Sequence, residues 1–252
     1  MQAYSRTFAR IYNKRWTFFA HRVAPLIADF YASTPIGQTD LSLLDLCCGT
    51  GQLAFYFLEN GYRVTGIDLS EHVLVYAREN ASAYVEGGRA RFIQADAANF
   101  SVDDQFGLAV STFDALNHLD GQAALEKCFA SVFAALAPGG FFVFDLNTRA
   151  GLMRWNNISM NDSEEAMIIT RGIYDGEGDR AYTRVSGFIH TANGLYERFD
   201  ETVFNYVFDM DWVREALRSA GWRDAYCARI DDLATPIAEP EREDRVFFVA
   251  NK

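Results

Sequence analysis

Apolar and aromatic positions near the start of the chain recur at helical spacing: Phe8, Ile11, Tyr12, Phe18, Phe19, Val23, Leu26, Ile27 and Phe30. That period predicts one or two amphipathic helices, broken or kinked near Pro25, and the stretch STPIGQTD (33–40) reads as a turn-rich linker. From residue 41 the pattern changes. An apolar run at 41–47 ends in a glycine loop, CGTG, and residues 52–60 read as a helix closed by Gly61. A strand at 62–68 precedes a helix over 70–83 with Ser70 as its N-cap. Further strands are expected at 90–95 and 106–111, and a helix at 121–136 stops at PGG. FFVFDLN (141–147) is then an almost wholly apolar fifth strand. Apolar strands alternating with helices predict a parallel sheet covered on both faces.

Between about 168 and 208 the period shortens to two. IITRGIY, RAYTRVSGFIHT and LYERFDETVFNYVF alternate apolar and polar residues, with DGEGD and ANG as hairpin separators. This stretch holds too little apolar material for a core of its own, so it should pack on the sheet as an antiparallel insertion. A capped helix at 211–220 and strands at 222–230 and 245–250 close the chain.

Composition narrows the possibilities. The 252 residues, at about 150 per domain, allow one elaborated domain or two small ones. Half the residues are hydrophobic and 15% aromatic, which excludes a disordered chain. The net charge of −11 argues against a protein that coats phosphate backbones. No apolar run is long enough to span a membrane, and MQAYSRTFARIYNKRW has no apolar block followed by a cleavage site. Cys47, Cys48, Cys128 and Cys227 form no CxxC pair and have no His at ligand spacing, so they read as reduced thiols of a cytoplasmic protein without a metal site.

The loop DLCCGTGQLA (45–54) joins a strand to a helix, where an open α/β sheet binds ligands. Gly49 and Gly51 let backbone approach a ligand closely, beside the free N–H groups of the following helix. Alone, the loop is equally a dinucleotide site or a tight turn. Asp68 ends the second strand 19 residues after Gly49, where a carboxylate can accept from two ribose hydroxyls. Asp96 ends the third strand, in position to accept from an exocyclic amine, and Asp45 lies inside the first strand, where burial is costly unless it is paired. Each acid by itself also reads as a cap or turn former.

Taken together, LLDLCCGTG, VTGIDLS, QADA, FGLAVSTFDALNHL and LAPGGFFVFDLN make the chain resemble the class I S-adenosylmethionine-dependent methyltransferases, over residues 43–147. In layout it is similar to their glycine and amino-sugar N-methyltransferase subgroups, which carry antiparallel insertions after the fifth strand. The resemblance implies a Rossmann-like, seven-stranded, mostly parallel α/β sheet with its last strand antiparallel. It divides a single domain into a helical lid (1–40), a cofactor-binding half (41–149), an insertion (150–208) and a closing helix and strands (209–252). It places Asp45, Gly49 and Gly51 around the methionine moiety, with Ser111 helping to hold that end, Asp68 on the ribose, and Asp96 with Ala97 on the adenine, and Cys47 and Leu69 are further cofactor-binding candidates. Cys48 stands at the family's usual glycine. The implied cofactor is S-adenosylmethionine, with S-adenosylhomocysteine as product.

For the acceptor side, the segment STFDALNHLD offers Asp114, Asn117 and His118. His118 is the candidate base and Asn117 a cofactor-side residue, although either also reads as structural. Aromatic faces shelter a sulfonium, for which Tyr12 and Trp16 in the lid stand ahead of Tyr174, Tyr182 and Tyr196 in the insertion. Tyr12 is the second candidate catalytic residue. Asn147 and Arg149 are expected to point toward the acceptor cleft, Arg149 as a clamp for a carboxylate or as a surface ion pair. The expected partner is a small-molecule methyl acceptor, met by a monomer or homodimer, with no nucleic acid and no membrane. RNA or protein methylation, a non-catalytic adenosylmethionine-binding protein and a nicotinamide-dependent oxidoreductase remain as alternatives.

Overall fold

The computed structural model describes residues 4–191 and 193–252; residues 1–3 of the expected lid and residue 192 of the ANG separator lie outside them. Two helices open the chain, α1 (Arg6–Arg15) and α2 (Phe18–Ala32). The break falls at Trp16 and Thr17, and Pro25 lies inside α2 without ending it. Burial holds α2 together there: Val23, Ala24, Ile27 and Tyr31 all pack into the core, which offsets the one donor a proline lacks.

The sheet is built from β1 (Ser42–Leu46), β2 (Arg63–Asp68), β3 (Ala90–Gln94), β4 (Phe106–Ser111) and β5 (Leu136–Asn147). Helices α3 (Gln52–Glu59), α4 (Glu71–Asn80), α5 (Ser82–Glu86) and α6 (Gln122–Ala135) connect them. Then follow α7 (Arg149–Arg154), the strands β6 (Ile158–Asp162), β7 (Ala166–Ile173), β8 (Arg180–His190) and β9 (Tyr196–Tyr206), α8 (Met210–Ser219), β10 (Asp224–Ala228) and β11 (Arg245–Asn251). The order β10-β11-β5-β4-β1-β2-β3 makes one seven-stranded sheet. Its first five strands pair in parallel, and β11 runs antiparallel to β5 and β10. The class I fold expected from the motifs is the one observed.

Alternation along each strand supplies two cores. Leu43, Leu108, Val143 and Val249 face α2 and α3, whereas Leu44, Ala109, Phe144 and Phe248 face α6 and α8. The expected stop at PGG is instead the start of β5, because the C-terminal Lys252 pairs its backbone with Gly139 and Gly140. The insertion is a separate antiparallel sheet, β6-β7-β8-β9. Strand β6, which gives no period-two signal of its own, adds its outer edge.

That second sheet matters for what it roofs. Phe8 and Ile11 of α1 pack against Ala166, Ile168, Val185, Ile189 and Phe199 of the insertion. Each of these side chains larger than alanine contributes about 1.5–3 kcal/mol by leaving water. Helix α1 thus lies between the two sheets, over the C-terminal ends of β1, β2 and β4.

Candidate active site

A cavity of about 440 Å³ opens beneath α1. Its floor is the strand ends of the parallel sheet and its far wall is the insertion. Of the expected site residues, Cys47, Gly49, Asp68, Leu69, Ala97, His118, Tyr12 and Trp16 line it.

The first turn of the loop is strained in a way that opens space. Cys47, Gly49 and Gly51 have φ of 58°, 54° and 76°. At Gly49 that freedom brings the lid close: a Cβ there would lie 3.3 Å from Cε1 of Tyr12. Gly51 plays a different part, because its missing Cβ would meet Ala77 at 3.2 Å, so it packs α3 against α4 rather than lining the cavity.

Asp68 accepts the Gly49 N–H at 2.9 Å on one oxygen and the Ser70 N–H at 2.9 Å on the other. Burial raises its pKa and the backbone donors pull it back down. Each oxygen keeps a second lone pair for a hydroxyl in the cavity. The Ser70 hydroxyl does not cap α4. It donates to the Tyr4 carbonyl at 3.0 Å, which ties the start of the lid to the end of β2.

Asp45 sits in a recess that shares Tyr12, Trp16, Cys47, Thr112 and Phe113 with the main cavity. It is buried, its Oδ2 has no partner, and burial pushes its pKa up to about 8 against the opposing Ala54 N–H. The Ser111 hydroxyl is likewise buried and unpartnered. Orphaned polar atoms beside a left-handed glycine loop match a ligand with a cationic amine at this end, where Asp45 would hold it. Asp68 would hold ribose hydroxyls, and Ile67, Leu69, Ala95 and Ala97 give an apolar slot for a flat base. Asp96 is not in the lining. Its Oδ1 accepts the Ala98 N–H at 2.9 Å and shapes the turn that presents Ala97.

Residues 43–140 match the family model described as methyltransferase domain. The chain thus carries a methyltransferase domain over these residues. It is 29% identical over 212 residues to the putative methyltransferase YqeM of Bacillus subtilis, covering 83% of each chain. A solved S-adenosylmethionine-dependent methyltransferase from Clostridium acetobutylicum superposes with a TM-score of 0.78 at 22% identity, over 97% of both chains. An amino pentose methyltransferase from Micromonospora echinaspora, solved with SAM bound, superposes at 0.69 and 20% identity, covering 100% of this chain and 98% of that one. The cofactor expected from the motifs agrees with these likenesses.

Elsewhere in the cavity lining, His118 lies in a 3-10 turn, Ala115–His118, with its Nδ1 2.6 Å from the Phe204 carbonyl. A carbonyl only accepts, so Nδ1 carries the proton. Nε2 stands 3.8 Å from Asp114 Oδ2, beyond hydrogen-bond length, and remains available to a ligand. Asp114 itself has φ 50°, after Phe113 at 67°.

Six further expected positions lie elsewhere. Asn117 is fully buried; its amide donates to the carbonyls of Tyr206 (2.9 Å) and Asn147 (3.3 Å) and its oxygen accepts the Asn147 N–H at 2.9 Å, so it staples the turn to β5 and β9 instead of meeting a cofactor. Asn147 donates to the cavity residue Asn205 at 3.2 Å and does not itself line the cavity. Arg149 bonds Tyr174 and the carbonyl of Gly176 at 2.8 Å, which bends the hairpin and clamps no acceptor. Tyr174 is thereby buried beside Leu152, Ala181 and Val207. Tyr182 and Tyr196 are exposed on the insertion and do not line the cavity.

The lining also holds residues that sequence reasoning missed: Tyr4, Phe8, Phe113, Trp155 and Phe204. A signal existed for the first two. Tyr4, Phe8, Tyr12 and Trp16 recur every fourth residue, the spacing of one helix face, and they form a continuous run of ring contacts 4.7–5.9 Å apart between centroids. Burial foremost, with Asp68 and Asp114 adding to it, raises the Tyr4 phenol; the Tyr12 phenol rises through burial, then Tyr4, Asp68 and Asp114. Both remain neutral rings.

Proposed function

We propose that the chain transfers a methyl group from S-adenosylmethionine to the amine of a small, hydroxyl-bearing metabolite, releasing S-adenosylhomocysteine. The observation that carries this reading is one cavity that runs from Asp68 to His118 and on to the insertion. Its far wall presents Asn157, Ser159, Thr170, Thr183, Thr202 and Asn205, with the faces of Trp155 and Phe204. No Lys, Arg or Glu belongs to the lining among the described residues. A phosphate or carboxylate carried into that wall would lose water without gaining a cation, which disfavours nucleic acid and acidic acceptors. The likeness to an amino pentose methyltransferase supports the same class.

When bound, the sulfonium supplies an activated methyl group. The chain's part is to orient and to take a proton. Tyr12 and Trp16, which line the cavity with Cys47 and Gly49, would shelter the sulfonium, a cation being worth about 0.5–2 kcal/mol per ring. The insertion wall fixes the acceptor, and orientation of this kind contributes on the order of 7–11 kcal/mol. An amine arrives as ammonium and must lose a proton before it attacks; His118 Nε2 takes that proton, and Asp114 stabilises the imidazolium formed.

The test is transfer of labelled methyl to a panel of amino sugars and amino alcohols, matched with N-acetylated, carboxylated and phosphorylated counterparts. Transfer to the free amines alone is expected. Transfer only to phenols or acidic acceptors would overturn the amine assignment.

A further inference from the structure

Arg245 opens β11, opposite Asn147 at the end of β5, and lies outside the cavity lining. Its guanidinium is buried between two carboxylates. It donates to Asp114 Oδ1 at 2.7 Å and to Asp145 Oδ2. Asp145 in turn accepts the Asp114 N–H at 2.9 Å, so the pair grips the left-handed residue by backbone and side chain. The guanidinium also lies over the rings of Phe19 in α2 (4.8 Å) and Phe113 (5.8 Å). Lid, acceptor loop and two strands therefore meet at one cation.

We propose that Arg245 is a positioning residue for the proton acceptor: by holding Asp114 toward itself it keeps His118 Nε2 free to receive the acceptor's proton. The proposal rests on the methyl-transfer reading and names the group behind it. The charges near His118 decide the matter. Asp114 and Asp145 carry two negative charges and Arg245 one positive. Across the cavity stand Asp68 and the neutral Tyr4 and Tyr12, while β9 offers the Phe204 carbonyl, and the exposed Asp120 pairs with Arg180 at 2.5 Å. Without the guanidinium, Asp114 loses its cationic partner and its carboxylate is free to turn onto an imidazolium at His118, 3.8 Å away. Its Nε2 would then be occupied before an acceptor arrived. A guanidinium suits the place because its planar fork reaches both carboxylates while stacking on two rings, which an ammonium cannot do.

The experiment reads the imidazole nitrogens of His118 by long-range 15N–1H NMR at pH 8, with His118→Gln assigning its signals. In the unaltered protein a single proton on Nδ1 is expected. Arg245→Met should shift both nitrogens to the imidazolium position, and Arg245→Lys, which keeps the charge without the fork, should move them part of the way back. Affinity for S-adenosylhomocysteine should stay within twofold in both variants, because Arg245 does not line the cavity. Removing one partner of a buried pair is strongly destabilising, so Arg245→Met/Asp145→Asn provides the same test with the pair removed. It too should give the imidazolium signature. His118 signals identical to the unaltered protein in either folded variant would overturn the proposal. If S-adenosylhomocysteine binds no form of the protein, the methyl-transfer reading fails while the His118 signals still decide the role of Arg245.

Discussion

Tyr12 rests on Gly49: the hydrogen that glycine presents there faces a ring carbon only 3.3 Å from where a Cβ would sit. The lid helix and the cofactor loop are therefore one surface, although 37 residues separate them in the chain. Gly49→Ala meets two costs. An alanine at φ 54° loses about 1–2 kcal/mol, and its methyl pushes Tyr12 outward. Affinity for S-adenosylhomocysteine should fall at least tenfold by calorimetric titration, with a smaller loss of thermal stability.

Asp45 gives the site a pH dependence of defined sign. Its carboxyl is raised to about 8 in the folded protein, against about 4 when unfolded. The folded state thus holds an extra proton between those values. This contribution to stability is full below pH 4 and is lost as pH rises through 8. Asp68, also raised by burial, acts in the same direction. A cationic amine placed on Asp45 needs the ionised form, so cofactor affinity should climb up to about tenfold per pH unit between 6 and 8, with proton release. Asp45→Asn should flatten both slopes, read by thermal melts and by titration in buffers of different ionisation enthalpy.

Two ways of holding the lid can be ranked. Glu197 accepts from Thr7 at 2.5 Å and pairs with Arg10 at 3.2 Å, but both charges are about 40% exposed. Such pairs are worth about 0.2–1 kcal/mol. Phe8, 5% exposed in the cluster with Ile168 and Phe199, is worth about 3–5 kcal/mol on truncation. Phe8→Ala should therefore accelerate cofactor dissociation far more than Glu197→Gln in stopped flow. Only the second effect should fade in high salt. Equal effects would place the latch in the ion pair.

Asn117→Ala should act on stability and leave the cofactor alone. It removes three hydrogen bonds from a fully buried site, each unmade group costing about 1–3 kcal/mol. A loss of at least about 3 kcal/mol is expected in denaturant melts, with cofactor affinity within twofold. A large drop in affinity at unchanged stability would restore Asn117 to the cofactor site.

What could be read from the chain alone follows distance along it. Strand alternation and helix period are local, so β1 to β5 and the hairpins emerge within a few residues of their observed ends. The glycine loop and Asp68 are legible because both lie at ends of adjacent strands, 19 residues apart. Arg245 and Asp114 are 131 residues apart and meet only because β11 inserts beside β5. No local pattern marks that meeting. Asn117 and Arg149 show the converse difficulty: polar residues near a site suggested ligands, yet buried backbone groups of β5, β9 and the hairpin had first need of their hydrogen bonds.

The ligand proposed for this cavity is S-adenosylmethionine. Calorimetric titration of the unaltered protein and Asp68→Ala with S-adenosylmethionine, S-adenosylhomocysteine and NAD tests it most directly. Binding of both sulfur ligands, weakened at least tenfold in Asp68→Ala, and no binding of NAD are expected. Binding of NAD alone would contradict it.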